Sequence, residues 1–124
     1  MEFLAHFKIN GKHIAIVEEN EMLFKMDADW EREQICKSSA CDPVQEMIDI
    51  ISNAEEIYSV KEEIKSQIKL YLIEDGLADI YEKGVAIYED AIIERIGEDG
   101  LNVLKKCELI ESCGSIYSRK LYVA

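Results

Sequence analysis

Asn10-Gly11, set between two runs of alternating apolar residues, constrains this chain more than any other feature. A two-residue hairpin turn of type I′ needs positive φ at both central positions, and Asn followed by Gly meets that need at least steric cost. The turn pairs Ile9 with Lys12, Phe7 with Ile14 and Ala5 with Ile16. Alternation then puts Phe3, Ala5, Phe7, Ile9, Ile14 and Ile16 on one face, with Lys8 and His13 on the other. Glu18-Glu19-Asn20-Glu21 reads as a second turn, and Met22–Met26 as a third strand with Met22, Phe24 and Met26 facing inward. A three-stranded antiparallel meander with one buried face is predicted.

Residues 27–41 read as a connection with a short helical turn around Trp30. Asp42-Pro43-Val44-Gln45 is a helix start: Asp caps, Pro sits where its missing N–H costs nothing, and Gln45 can close a capping box. Val44, Met47, Ile48 and Ile51 follow at helical spacing. Ser59-Val60-Lys61-Glu62 suggests a second capping box, opening a helix with Val60, Ile64, Ile68, Tyr71 and Leu72 as its stripe and Gly76 as its stop. Residues 53–58 join the two helices or form a turn of their own. Leu77–Lys83 reads as a short helix. Val85–Tyr88 reads as a strand before a helix capped by Asp90, or as the start of one longer helix to Ile96. Gly97-Glu98-Asp99-Gly100 is a turn, Leu101, Leu104 and Cys107 mark a last helix, and residues 109–123 form a hairpin. The fold class is therefore α+β, with a β-meander and connection over 1–41 and a helical region with a helix–hairpin end over 42–124, within one compact domain.

Charge is the strongest compositional signal. The 124 residues hold 26 acidic against 14 basic side chains, a formal net charge of −12. Residues 1–100 carry 24 of the acidic and 10 of the basic ones, so the acidity belongs to the first four-fifths of the chain. Such an exterior repels nucleic acid and anionic membranes and attracts basic partners. Acidic pairs recur, and Glu55, Glu56, Glu62, Glu63, Glu74 and Asp75 are the candidates for a partner-binding acidic face. A groove shaped for nucleic acid, whose backbone carries about one charge per 1.7 Å of duplex, also suits a dense array of carboxylates. Small acidic inhibitors carried by phages and other mobile elements act this way on nucleases and CRISPR effectors, an analogy of size and charge. The expected partner is a basic, nucleic-acid-handling protein. The N-terminal residues show no basic and apolar leader pattern, and no apolar run approaches the roughly 20 residues of a membrane helix, so a cytoplasmic location is expected.

The C-terminal order of capped helix, helix, turn, the segment Gly100-Leu101-Asn102-Val103-Leu104-Lys105-Lys106-Cys107-Glu108-Leu109-Ile110 and a hairpin resembles a winged-helix domain over residues 59–124. In that family the last helix ends in a Leu-Ile step entering the wing, which Leu104, Leu109 and Ile110 match, with Gly114 placed at the wing turn. The resemblance implies a reading helix over residues 100–107 and phosphate contacts from Lys105, Lys106, Arg119 and Lys120, the alternative function being a DNA-binding regulator. Glu98 and Asp99 depart from it, because they set carboxylates at the helix end that meets base edges.

Cys36, Cys41, Cys107 and Cys113 lack the tight spacing and turn glycines of a zinc knuckle and read as independent thiols, with no metal or other cofactor expected. His6 and His13 fall on diagonal neighbours of the hairpin's outer face and read as ordinary exposed histidines. Nucleotide-binding, nucleophile-elbow and metalloprotease motifs do not occur, and no catalytic residue is singled out, so the chain reads as non-catalytic. The tyrosines mostly fall on apolar stripes, where core packing is the default; Tyr117, in the terminal loop, is the one most expected to be exposed as a contact residue.

Overall fold

A computed structural model describes residues 1–35 and 42–124. The chain divides into two compact units, Met1–Lys65 and Ser66–Ala124. That division falls inside one helix and leaves more of the chain with the meander than the 41/42 division read from the sequence.

The first unit is built on strands β1 (Glu2–Ile9), β2 (Lys12–Glu19), β3 (Met22–Asp27), β4 (Arg32–Gln34) and β5 (Glu56–Val60). They form one antiparallel sheet in the order β4-β3-β2-β1-β5. Asn10 and Gly11 take φ of 51° and 77°, and Ile9, Phe7 and Ala5 lie opposite Lys12, Ile14 and Ile16 as expected. One face buries Ala5, Phe7 and Ile16 completely. Phe3 departs from the pattern. A bulge between Phe3 and Ala5 buries Leu4 and moves Phe3 to the opposite face, beside Val17.

The third strand also faces the other way. Asn20 and Glu21 form a second two-residue turn with φ of 53° and 65°, so β2 runs on to Glu19, which pairs with Met22. That register sets Met26 opposite Ala15 and Phe24 opposite Val17. Ala15, Val17 and Met26 form a second apolar cluster with Phe24 packed against it, so both faces of the sheet bury apolar side chains. A side chain's face depends on the parity of the register, which the turn sets.

Helix α1 (Pro43–Ser52) begins as its sequence dictates, with Asp42 Oδ1 accepting from the Val44 N–H at 3.0 Å. Gln45 Nε2 donates forward to Asp49 Oδ1 at 3.0 Å. Met47, Ile48 and Ile51 are fully buried. Pro43 shares a cleft with Met22, Leu23 and Gln34, while the Glu55 N–H past the far end donates to the Lys8 carbonyl at 2.7 Å. The helix thus crosses the sheet and delivers β5 to the open edge of β1. Residues 53–58, read as a joint between helices, therefore supply most of a strand, and Ser59 lies in that strand instead of capping a helix. The unpaired edge of β1 outweighs the local capping signal.

Helix α2 (Glu62–Lys69) starts after Lys61 and continues as a π-helix over Leu70–Asp75. Ile64, Ile68 and Leu72 are buried as the stripe requires, and the widened turns bring Ile73 in as well. Gly76 ends this helix in an ordinary right-handed conformation. What requires glycine is space: a Cβ there would lie 2.7 Å from the Leu72 carbonyl oxygen and 2.8 Å from Ile96 Cγ2. Leu77–Lys83 is a series of hydrogen-bonded turns rather than a helix.

In the second unit, β6 (Ile87–Tyr88), β7 (Glu111–Ile116) and β8 (Arg119–Val123) form a three-stranded sheet in the order β6-β8-β7, with α3 (Glu89–Lys106) between β6 and β7 in the chain. The strand alternative for residues 85–88 is the one realised, shortened to two residues. Asp90 lies in the first turn of α3, whose cap is Tyr88. The expected turn over residues 97–100 contracts to Gly97 alone, which breaks α3 into two helical segments at φ 78° and ψ 168°. Glu108, at φ 57°, closes α3 with Leu109 N–H donating to the Leu104 carbonyl and Glu108 N–H to that of Lys105, a Schellman motif that fixes the entry to β7. The hairpin turns at Tyr117-Ser118, φ 53° and 64°, not at Gly114, which follows a bulge inside β7.

Gly11→Ala is expected to cost about 1–2 kcal/mol, because its Cβ meets nothing but its backbone needs positive φ. Gly76→Ala should cost more, about 2–3 kcal/mol, by forcing Leu72 and Ile96 apart. Urea denaturation of the two variants checks the order; equal losses would contradict it.

Candidate functional site

The outer face of the first unit's sheet, the one carrying Ala15, Val17 and Met26, is only partly covered. Residues 27–31 form a tight loop in which the Asp27 carboxylate accepts the N–H groups of Asp29 and Glu31 at 2.9 and 3.0 Å. The Trp30 N–H donates to the Asp27 carbonyl, and the Glu31 carbonyl accepts from the Asp27 N–H. Trp30 is held at φ 64° with two-thirds of its surface (67%) in solvent. The loop takes the place of the helical turn expected there. Single residues with positive φ and bulky side chains are uncommon, and this one is maintained by four hydrogen bonds.

Trp30 forms one wall of an open cavity of about 400 Å³, with Phe3, His6, His13, Met26 and Ser59 among its other lining residues. Phe3 is there because of the β1 bulge. His6 Nε2 and His13 Nδ1 are 3.0 Å apart, so one imidazole donates to the other. Tyr58 completes the cluster, its ring centroid 4.7 Å from His6 and 5.4 Å from His13. A second bulge, between His6 and Phe7 on the β5 side, frees Tyr58 from direct pairing. Partial desolvation, reinforced by the Glu56 carboxylate, pushes the Tyr58 phenol above its ordinary pKa, and its hydroxyl donates to Glu56 at 3.3 Å. Phe3, Trp30 and Tyr58 are 47%, 67% and 44% exposed. The site is an aromatic surface with two hydrogen-bonded imidazole rings, suited to holding an apolar group beside a polar one.

Against known protein families, curated proteins and solved structures, the chain has no match.

All six acidic residues read as partner-binding are exposed. Glu55 accepts from the Gly11 N–H at 3.0 Å, bracing the hairpin turn. Glu56 lies on β5 beside Tyr58, and Glu62 and Glu63 occupy the first turn of α2, with Glu62 3.8 Å from Lys65. Glu74 and Asp75 belong to the second unit, at the end of the π-helix.

The four cations assigned to nucleic-acid contact are differently engaged. Arg119 donates to both oxygens of Asp90, at 3.0 and 2.8 Å, and lies 3.7 Å over the Tyr88 ring. Lys105 reaches toward the Tyr122 ring. Tyr122, itself buried, donates to Glu89 at 2.8 Å, and that hydrogen bond raises its phenol pKa. Lys106 is partly buried, and desolvation lowers its pKa. Lys120 is exposed on the hairpin. Cys107 is buried and Cys113 exposed, while Cys36 and Cys41 lie outside the described residues, and with them the four-thiolate reading. Among the described residues no group of three or more metal-binding side chains converges. Tyr117 is 90% exposed, the position expected of it, whereas Tyr58, expected in the core, is on the surface.

The sequence reading missed Trp30, Phe3 and Tyr58 as site residues. Trp30 carried a legible signal, a lone tryptophan between Asp29 and Glu31 with Asp27 three residues before it. Phe3 and Tyr58 depend on bulges that no local pattern announces.

The hydrogen bonds from Arg119, and then its charge, hold Asp90 below the usual carboxylate range. A depressed pKa contributes stability above the unfolded value of about 3.9, and that contribution is lost as pH falls through the folded value. In Arg119→Ala the Asp90 midpoint, followed by carboxyl NMR, should rise to the ordinary range. An unchanged midpoint would remove the pairing as its cause.

Proposed function

We propose that this is a non-catalytic binding protein whose carboxylate-rich exterior engages a basic, nucleic-acid-handling protein, as a small acidic inhibitor would. The observation that carries the reading is the net charge of −12 together with the exposure of all six carboxylates singled out. Among the described residues Glu63, Glu74 and Asp75 have no ion-pair partner, so their charge is available to an incoming cation. Complementary fields of this kind speed encounter and exclude like-charged partners.

The rival reading, a winged-helix DNA-binding regulator, is favoured by one observation. The second unit has the element order helix, turn at Gly97, helix and hairpin. Its charges argue for protein rather than DNA. Glu98, Asp99 and Asn102 are exposed on the second segment of α3, and Arg119 is already occupied by Asp90. DNA contact there would desolvate carboxylates against phosphates.

The test is capture of basic proteins from lysate at low and high salt, with wild type beside a variant carrying Glu62→Lys, Glu63→Lys, Glu74→Lys and Asp75→Lys. The expected result is a salt-sensitive protein partner, lost on the order of tenfold or more in the variant. Equal capture by both proteins would end the acidic-surface reading. A duplex gel shift abolished by changing Lys105, Lys106, Arg119 and Lys120 would replace it with the DNA reading.

A further inference from the structure

We propose that the Trp30 pocket is where a partner docks, and that its occupant is an extended, Lys/Arg-flanked segment inserting one large apolar side chain between Phe3 and Trp30. This rests on the acidic-surface reading and supplies what that reading lacks, a place and an anchor. Of the large apolar side chains exposed in the first unit beyond Met1, Phe3 and Trp30 line the cavity, Tyr58 packs against its histidines, and Met22 lies on the same face. Aromatic side chains that are rigid and exposed around a pocket are the groups that most often anchor a binding partner. The backbone at Trp30 is fixed on both sides, because the Asp27 carboxylate accepts from the N–H groups of its two neighbours.

Charge selects the occupant. The loop carries Asp27, Asp29 and Glu31 and no cation. Arg32, next in the chain, is paired with Glu19 and lies over Phe24, and Lys25 faces Glu33. On the opposite wall stand Ser59 and the hydrogen-bonded histidines, beyond which Lys8 lies opposite Glu56 in the strand register. A second copy of this chain would bring its own excess of carboxylates against Asp29 and Glu31. A cationic segment finds the opposite: carboxylates for its charges, an indole face for a guanidinium, and an apolar floor of Ala15 and Met26 for its anchor.

Trp30 is the sole tryptophan, so its fluorescence reports on this pocket alone. The full chain is titrated with short synthetic peptides having arginines around a central Phe, the same with Ser in place of Phe, and glutamates around Phe. Trp30 emission and the amide NMR shifts of Ala15, Met26 and Ala28 are followed. The expected result is saturable binding of the Arg–Phe peptide alone, weakened by salt, about tenfold weaker in Trp30→Ala and weakened also by Asp29→Asn with Glu31→Gln. Equal binding of the Ser peptide with shifts elsewhere would overturn the pocket while leaving the acidic surface standing. Equal binding of the glutamate peptide, or no movement of those amides by any peptide, would overturn the proposal. So would a change in Trp30 emission with protein concentration alone, which would make a second copy the occupant.

Discussion

Among the described residues three hairpins turn through two consecutive residues with positive φ, and most of the sheet structure depends on that geometry. Asn10-Gly11, Asn20-Glu21 and Tyr117-Ser118 each reverse the chain in the minimum number of residues, with the twist that the flanking strands require. Only the first pair has the residues that make such a turn inexpensive. The other two place Glu, Tyr and Ser in the left-handed region and are maintained by the ladders on either side of them. A shift of one residue at Asn20-Glu21 would turn Phe24 and Met26 to the opposite face. Ala15 and Val17 would then lose the side chains that cover them.

The same registers produce the site. With Met26 beside Ala15 and a bulge carrying Phe3 across the sheet, the outer face acquires an apolar floor. The Asp27 loop then sets an exposed indole over its edge. Burial of large side chains on one face and partial exposure of others on the opposite face is the usual division for a sheet covered by a helix on one side. Here the partly covered side carries aromatic rather than charged side chains at its centre, with carboxylates at its margin.

Where the sequence reading departed from the structure, long-range pairing had prevailed over local preference. Residues 56–60 carry a plausible helix cap at Ser59, yet they pair with β1, whose backbone groups would otherwise be left unpaired. Gly114 looked like a turn and is a bulge, because the Schellman closure at Glu108 fixes where β7 starts and the register to β8 then places the reversal three residues later. The acidic residues were legible as a total and as exposed positions. The aromatic pocket was not, since Phe3, Tyr58 and the histidines come together only through two bulges and a three-strand register.

By itself the amino-acid order determined the first hairpin with its pairing, the capped start of α1, the apolar stripes of the helices, the helix–hairpin end and the exposure of Tyr117. Each follows from interactions within a few residues, where φ preferences, capping and periodicity act. Tertiary structure alone decided which face Met26 and Phe3 occupy, that residues 56–60 become a strand, and that Arg119 is bound to Asp90. Those outcomes turn on hydrogen bonds and packing between segments far apart in the chain, whose energies no local window contains.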